Sequence, residues 1–411
     1  MNYDYGIIGG GPAGYTVGMK LAQQGYKVLL FEKEKLGGTC LNKGCIPTKA
    51  LLHASEQYSN AFDLEQIGLD VEIKGFDFSK IAEKRDKTVE KIRKSLELAV
   101  KNSGVEVIFE EAFLKDKNTI VANNTEYFFS NIIVTTGSKP REIKGLEFDG
   151  EFILSSDDVL KLSSLPKSVL IIGSGAIGIE WARIFSNFGV EVYITELAEH
   201  LIPLADIEVS KRIERIFKQK KIKYFLSDSV ESIIGKKVAL KSGNTIEPDF
   251  ILSAVGREPV CPENFGSKVL GDACGEIQLA HYAISQGIRF VSEKETTLNK
   301  LLVPSVIYGE PEIAWVGIRE QDCDESYKKY MLPITALGKS WCDDSTDGFI
   351  KLITKDEFIV GGHIVSKEAS ALIHQVLIAI QNKIPIQKLK ELCFAHPTYS
   401  EGIFELLCRI D

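Results

Sequence analysis

The sequence predicts an α/β protein made of two tandem doubly wound units followed by an α+β domain. Three observations carry this prediction. A strand, glycine turn, helix and second strand ending at a glutamate occur twice with the same spacing. Each occurrence has a companion apolar strand, further along the chain, that ends at glycine. From about Leu298 the texture changes to short strand-like runs that precede an apolar helix.

In chain order, Asp4-Tyr5-Gly6-Ile7-Ile8 is a short strand that enters Gly9-Gly10-Gly11-Pro12-Ala13-Gly14. A helical pattern runs from Ala13 to Gln23, and Gly25 stops it. Lys27 to Phe31 is the next strand, and Glu32 lies 18 residues beyond Gly14. Ser168 to Ile172 then enters Gly173-Ser174-Gly175-Ala176-Ile177-Gly178. Gly189 stops the helix, and Val190 to Ile194 leads to Glu196, again 18 residues beyond the last glycine. The companion strands are Asn131 to Gly137 and Phe250 to Gly256. Phe78 to Asn102 is a charged surface helix, and Lys139-Pro140 and Leu165-Pro166 bracket a crossover. Later runs at Val303 to Tyr308, Gly348 to Ile353 and Phe358 to His363 read as strands before a helix at Ala369 to Asn382.

Composition narrows the function. With 49 basic and 57 acidic residues in 411, the net charge is −8 and there is no basic run. That balance does not fit nucleic acid or an anionic membrane surface as partner. No apolar stretch approaches the roughly 20 residues of a membrane span. Met1 to Tyr5 has no basic region ahead of an apolar one, so no signal peptide and a cytoplasmic location are expected. Eight scattered cysteines do not make a secreted disulfide scaffold.

The repeated motif has a definite chemistry. In each G-x-G-x-x-G the first glycine permits the turn, the second lets a pyrophosphate approach the backbone, and the third lets helix and strand pack closely. The positive helix terminus then holds the pyrophosphate. These are Rossmann-like dinucleotide folds, with Gly9, Gly11, Gly14 and Glu32 in one and Gly173, Gly175, Gly178 and Glu196 in the other. The two acids would accept from ribose hydroxyls, and an acid at Glu196 favours NAD over NADP. Two such folds suggest a resident flavin and a visiting nicotinamide. Gly271-Asp272 followed by Ala280-His281 fits a flavin too: the Asp would take a ribityl hydroxyl and the next helix would point at the isoalloxazine. By itself, Gly-Asp is also an ordinary turn.

Cys40 and Cys45 enclose four residues in Gly37-Gly38-Thr39-Cys40-Leu41-Asn42-Lys43-Gly44-Cys45-Ile46-Pro47-Thr48-Lys49, read as a glycine-rich loop with a helix from about Thr48. Such a loop lets two sulfurs approach bonding distance, and Cys45 near a helix N-terminus has a stabilised thiolate. A metal site or two buried thiols are the alternatives, and no second Cys/His cluster lies nearby. Near the C-terminus, His396 stands five residues before Glu401. A carboxylate on one ring nitrogen leaves the other free as a base, although a lone histidine is as often structural.

With these segments in view, the sequence resembles the pyridine nucleotide–disulfide oxidoreductases, most closely their dihydrolipoamide dehydrogenase branch. G-G-T-C-L-N-K-G-C-I-P-T-K resembles the family's redox-disulfide segment and H-P-T-Y-S-E its C-terminal active-site segment. Pro311 to Gly317 is similar to the start of its interface domain. The resemblance implies a homodimeric, NAD-dependent flavoprotein that oxidises dihydrolipoamide. Cys40 would exchange with the dithiol, and Cys45 would face FAD as the charge-transfer thiolate. His396, oriented by Glu401, would act as base from the opposite subunit. Lys49 and Glu180 would pair beside the flavin, with Thr136, Gly137, Asp272 and Ala280 also on FAD and Gly256 on NAD. Partners would be lipoyl-bearing subunits of a 2-oxoacid dehydrogenase or glycine cleavage complex, and no metal is implied. Other members acting on another disulfide or a metal ion, or a slow redox-sensing flavoprotein, are the competing functions.

The expected domains are 1–145 with 267–298 for FAD, 146–266 for NAD, and 299–411 for dimerisation. One departure stands out. Only fourteen residues separate Gly256 from Gly271, where the family has a longer segment, and the strand before Gly271 is reduced to Val269-Leu270. Cys261, Cys274, Cys323, Cys342, Cys393 and Cys408 read as unpaired.

Overall fold

The computed structural model describes residues 3–410. Met1 and Asn2, where the targeting expectation begins, lie outside them. Tyr3–Ile8 forms the centre of the first sheet, parallel to Val28–Phe31 on one side and to the second half of Thr125–Val134 on the other. Val28–Phe31 is almost completely buried, as a strand covered on both faces must be, and it pairs onward with Glu106–Ile108. Helix α1 (Pro12–Gln23), with proline in its first turn, joins the first two strands. Then come α2 (Gly38–Lys43), α3 (Cys45–Ala61) and the long α4 (Phe78–Asn102), whose N-cap Asp77 accepts from the Ser79 and Lys80 N–H groups. The expected strand at Asn131 begins earlier, at Thr125, because its first half turns to pair antiparallel with Thr119–Ala122.

The second unit repeats the pattern. Its five-stranded parallel sheet runs Lys223–Leu226, Glu191–Glu196, Ser168–Ile172, Phe250–Ser253, Ile153–Leu154. Helices α5 (Ala176–Asn187) and α6 (Ile207–Gln219) follow Ser168–Ile172 and Glu191–Glu196. The chain returns to the first sheet through Lys268–Val269, which pairs parallel with Ile133 and Val134, and α7 (Ala280–Val291) packs on α1. The outgoing and returning connections lie side by side as an antiparallel pair, Ser138–Pro140 with Arg257–Pro259.

The last unit is an antiparallel sheet ordered Ser305–Ile307, Glu312–Gly317, Phe358–Ser366, Phe349–Lys355, Lys328–Pro333. Two of these strands, Glu312–Gly317 and Lys328–Pro333, did not stand out as strands in the sequence. Short α8 (Gly338–Cys342), α9 (Ala369–Gln381), short α10 (Ile386–Lys390) and α11 (Glu401–Cys408) complete it. Ile364, Leu372, Ile373, Tyr399 and Leu406 fill its core. A buried polar cluster ties it to the second unit. Asp206, the N-cap of α6, accepts from Lys351 Nζ at 2.7 Å and from the Glu320 N–H at 2.8 Å, beside the buried His363.

Candidate active site

The two glycine turns are the same structure built twice. Gly9 and Gly173 have φ of +106° and +96°, where a side chain would meet the Thr135 or Ala254 carbonyl oxygen at 2.3 or 2.8 Å. At Gly14 and Gly178 a Cβ would lie 1.9 and 2.0 Å from the carbonyl oxygens of Gly9 and Gly173. Gly11 and Gly175 differ, since a Cβ on either would meet nothing closer than 3.7 Å. Close packing at the first and third positions and open space at the second is the arrangement a pyrophosphate requires.

The acids are also held alike. Glu32 Oε2 accepts from the Gly10 N–H at 2.7 Å and its Oε1 from the Glu34 N–H at 2.8 Å. Glu196 accepts from the Ser174 N–H and hydroxyl at 2.8 and 2.7 Å and from the Ala198 N–H at 2.9 Å. Each carboxylate is thereby oriented and keeps lone pairs for a ribose hydroxyl.

One cavity of about 2220 Å³ joins the two turns. It is lined by Gly9, Gly11, Glu32, Cys40, Cys45, Lys49, Thr136, Gly137, Asp272 and Ala280 on one side and by Gly173, Gly175, Glu180, Glu196 and Gly256 on the other. Its size exceeds the ≈ 300–1,000 Å³ of ordinary ligand pockets, which suits two dinucleotides better than one. Helices α1, α5 and α7 meet it with N-termini that carry no side-chain cap, leaving their N–H groups for a ligand. The residues present therefore fit FAD and NAD. Gly14 and Gly178 sit behind the wall, and His396 and Glu401 are not part of it.

The cysteine segment is a pair of helices where the sequence reading expected a loop. Its glycines sit at helix ends: Gly37, with φ of +103°, precedes α2, and Gly44 precedes α3. Cys40 lies inside α2, and Cys45, not Thr48, opens α3. Both are free thiols here. The neighbouring Cys45 thiol and burial push the Cys40 thiol upward, and Cys40 in turn brings Cys45 down to about 7 despite burial, with Lys49 assisting. The uncapped N-terminus of α3 acts in the same direction.

One turn along α3, Lys49 Nζ donates to both oxygens of the buried Glu180, at 2.8 and 2.7 Å. Tyr308, on the last unit, completes this junction. Its N–H donates to Glu180 Oε1 at 3.1 Å, and its ring lies 4.8 Å from the ammonium. Asp272 Oδ2 accepts from the Ser138 hydroxyl at 2.6 Å, and its carboxyl is pushed up by burial while Ser138 and Arg257 oppose that shift. Sequence reasoning missed Tyr308, Ser138 and Arg257. Ser138 and Arg257 carried a signal, since each directly follows the glycine that ends a companion strand, and Tyr308 carried none.

His396 is 76% exposed. Its Nδ1 donates to Glu401 Oε1 at 2.8 Å, and Glu401 Oε2 accepts from the Thr398 N–H at 2.8 Å. These two donors hold the Glu401 carboxyl low, and the free Nε2 faces outward. Within one chain, then, the imidazole and the cysteines are not brought together. Among the described residues, no group of three or more His, Cys, Asp and Glu is placed to hold a metal ion, and no helix is long and apolar enough to cross a membrane.

Comparison with known proteins agrees with this geometry. Residues 3–285 match the family described as pyridine nucleotide-disulphide oxidoreductase, and residues 303–407 match its dimerisation domain. A dihydrolipoyl dehydrogenase of Bacillus subtilis (strain 168) is 31% identical over 464 positions, covering 100% of this chain and 98% of that protein. Those 464 positions against 411 residues leave a difference of 53 with no counterpart here. The mitochondrial dihydrolipoyl dehydrogenase of Pisum sativum is 32% identical, covering 98% of this chain and 90% of that one. Among solved structures, LpdA from Mycobacterium tuberculosis has the same fold at 22% identity, with a TM-score of 0.90 over 99% of this chain and 100% of that one. The HOCl-induced flavoprotein disulfide reductase RclA from Escherichia coli matches at 24% identity, TM-score 0.86, over both whole chains.

Proposed function

Because the chain belongs to the pyridine nucleotide-disulphide oxidoreductase family, a family of FAD- and NAD-linked enzymes, we propose that it is a dihydrolipoamide dehydrogenase. The observation that carries this reading is Cys45. It opens an uncapped helix, neighbours Cys40, and has Lys49 one turn on, all in the cavity that joins the two nucleotide turns.

In the oxidised enzyme the two cysteines form a disulfide. A dithiol, one thiol ionised with its proton released to solvent, attacks Cys40 Sγ, a mixed disulfide forms, and Cys45 leaves as the thiolate its surroundings favour. His396 Nε2, supplied by a second copy of the chain, takes the proton of the remaining thiol. That sulfur then displaces Cys40, which leaves with a proton, and the substrate departs as a cyclic disulfide. Bound FAD supplies the two-electron link from the Cys45 thiolate to NAD⁺. Lys49 and Glu180 fix the charge beside Cys45, and Glu401 holds the His396 tautomer. Gly9, Gly11, Gly14, Glu32, Thr136, Gly137, Asp272 and Ala280 would hold FAD. Gly173, Gly175, Gly178, Glu196 and Gly256 would hold NAD. In this reading 1–145 with 267–298 is the FAD domain, 146–266 the NAD domain and 299–411 the dimerisation domain. The substrate would be carried on a lipoyl-bearing subunit of a 2-oxoacid dehydrogenase or glycine cleavage complex.

The test is NAD⁺ reduction by dihydrolipoamide in FAD-replete protein, run beside NADP⁺ and beside NADPH with glutathione disulfide. Turnover with dihydrolipoamide and NAD⁺ is expected. Its absence, or faster turnover of glutathione disulfide, overturns the assignment.

A further inference from the structure

Behind the redox centre lies a buried arginine that the chemistry above does not use. Arg183 is on α5, one turn beyond Glu180, and is 2% exposed. Its single hydrogen bond runs from Nη1 to the Tyr308 carbonyl at 2.9 Å, and among the described residues its Nε and Nη2 have no partner. A buried guanidinium with unpaired donors is costly, and packing alone gives no reason to keep one. Glu56, Glu180, Glu312 and Glu310 surround it and hold up a charge that burial pulls down to about 10. Space for it is made by Gly309, the residue after Tyr308. A Cβ there would stand 2.0 Å from Nη1, at a φ of +134° that side chains rarely adopt.

Tyr308 is thus gripped at three points. Its carbonyl accepts from Arg183, its N–H donates to Glu180 Oε1, and its ring lies against the Lys49 ammonium. We propose that Arg183 is a positioning residue of the redox centre: by holding the Tyr308 carbonyl it fixes that ring and N–H against the Lys49–Glu180 pair, and so sets the charge that Cys45 meets. The inference rests on the thiol chemistry proposed above and adds a group that touches neither substrate nor cysteine. It also gives Gly309 a role, as the place where a side chain would break the grip without changing any charge.

The readout is the long-wavelength thiolate–flavin absorbance of the two-electron-reduced holoenzyme, titrated with pH, with flavin content and thermal midpoint measured in parallel. Arg183→Met and Gly309→Ala should both raise the midpoint of this absorbance by about one pH unit, a tenfold smaller thiolate population at fixed pH. Arg183→Lys, which keeps the charge and loses the planar fork, should fall between them and wild type. A purely structural arginine would lower the thermal midpoint and leave the pH midpoint where it was. Where Arg183→Met does not accumulate as a flavoprotein, Gly309→Ala and Arg183→Lys decide. Unmoved pH midpoints in variants that retain flavin overturn this inference alone. A wild-type enzyme without the absorbance at any pH overturns the thiol chemistry, and this inference with it.

Discussion

Replacing Glu401 with glutamine tests the imidazole in isolation, because the structure spends both carboxylate oxygens on donors. Oε1 accepts from His396 Nδ1 and Oε2 from the Thr398 N–H, each at 2.8 Å. An amide has one acceptor, so one donor must lose its partner. The Thr398 contact is part-buried and the imidazole is exposed. Losing the less exposed bond costs more, so the amide oxygen should turn to Thr398 and the amino group to Nδ1. The ring proton then moves to Nε2, the nitrogen that must accept one. Regaining the productive tautomer leaves the Thr398 N–H unpaired, at about 1–3 kcal/mol, and general-base catalysis is typically worth about 10²–10⁴-fold. Glu401→Gln should therefore lower kcat/KM for dihydrolipoamide by roughly 10–10²-fold. Oxidation of NADH by an artificial quinone, which needs no dithiol base, should stay near wild type. Dihydrolipoamide turnover within a few-fold of wild type, or parallel loss of both activities with flavin retained, would refute the role of the pair.

Three further outcomes follow from the geometry. Gly14→Ala and Gly178→Ala place a methyl carbon 1.9 and 2.0 Å from a backbone oxygen, so each should break one turn. The first should lose FAD, seen as a lower flavin-to-protein ratio, and the second should keep FAD and bind NADH at least about tenfold more weakly; loss of the same ligand from both would contradict the assignment. If cysteines and histidine come from opposite chains, co-refolding inactive Cys45→Ser with inactive His396→Gln should restore roughly one quarter of wild-type activity, and no recovery in verified heterodimers would argue against a shared site. His363 is fully buried, donates from Nε2 to the Ile318 carbonyl at 2.8 Å, and is pulled down to about 4 by burial, with Asp206 opposing. The unfolded chain binds that proton near 6.5 and the folded chain does not, so stability is full above about pH 6.5 and falls by up to about 3 kcal/mol as pH drops to 4. Asp206, held below the ordinary carboxylate value, loses its contribution only at still lower pH. His363→Gln should flatten the dependence of the unfolding midpoint between pH 6.5 and 4, and an unchanged slope would count against the buried imidazole as its source.

What was legible in the sequence was local. The two glycine turns, their acids and the strands around them sit within about thirty residues of one another, so spacing alone exposed both units. The helices that carry the cysteines were hidden because Gly37, Gly38 and Gly44 read as loop, whereas Gly37 and Gly44 cap helices. Contacts between distant segments left no local trace. Arg183 and Tyr308 are 125 residues apart, and Lys351 and Asp206 are 145 apart. Nothing in the local pattern of either residue announces its partner. The separation of His396 from the cysteine cavity is of another kind, because it concerns a second copy that one sequence describes only by resemblance.

The short connection between Gly256 and Gly271 shows what strand length does and does not supply. The strand that returns to the first sheet has two residues, Lys268–Val269, too few to set a register by its own ladder. Its end is fixed by other means. The Leu270 N–H donates to the Val134 carbonyl at 2.9 Å while its side chain is fully buried, and the Gly271 N–H donates to Gln286 Oε1 at 2.8 Å. Ser138 then ties the two ends of the connection together. Arg257, at its start, donates from Nε to the Ser138 hydroxyl and from Nη2 to the Ser138 carbonyl, both at 2.9 Å, and the same hydroxyl donates to Asp272 just past its end. The direction of Asp272 into the cavity thus depends on one serine, one arginine and one buried leucine, and much less on how many residues lie between. A loop can lose length at modest entropic consequence when its ends are already held. That is the physical reason a connection this short can keep Asp272 and Ala280 on the wall of the cavity.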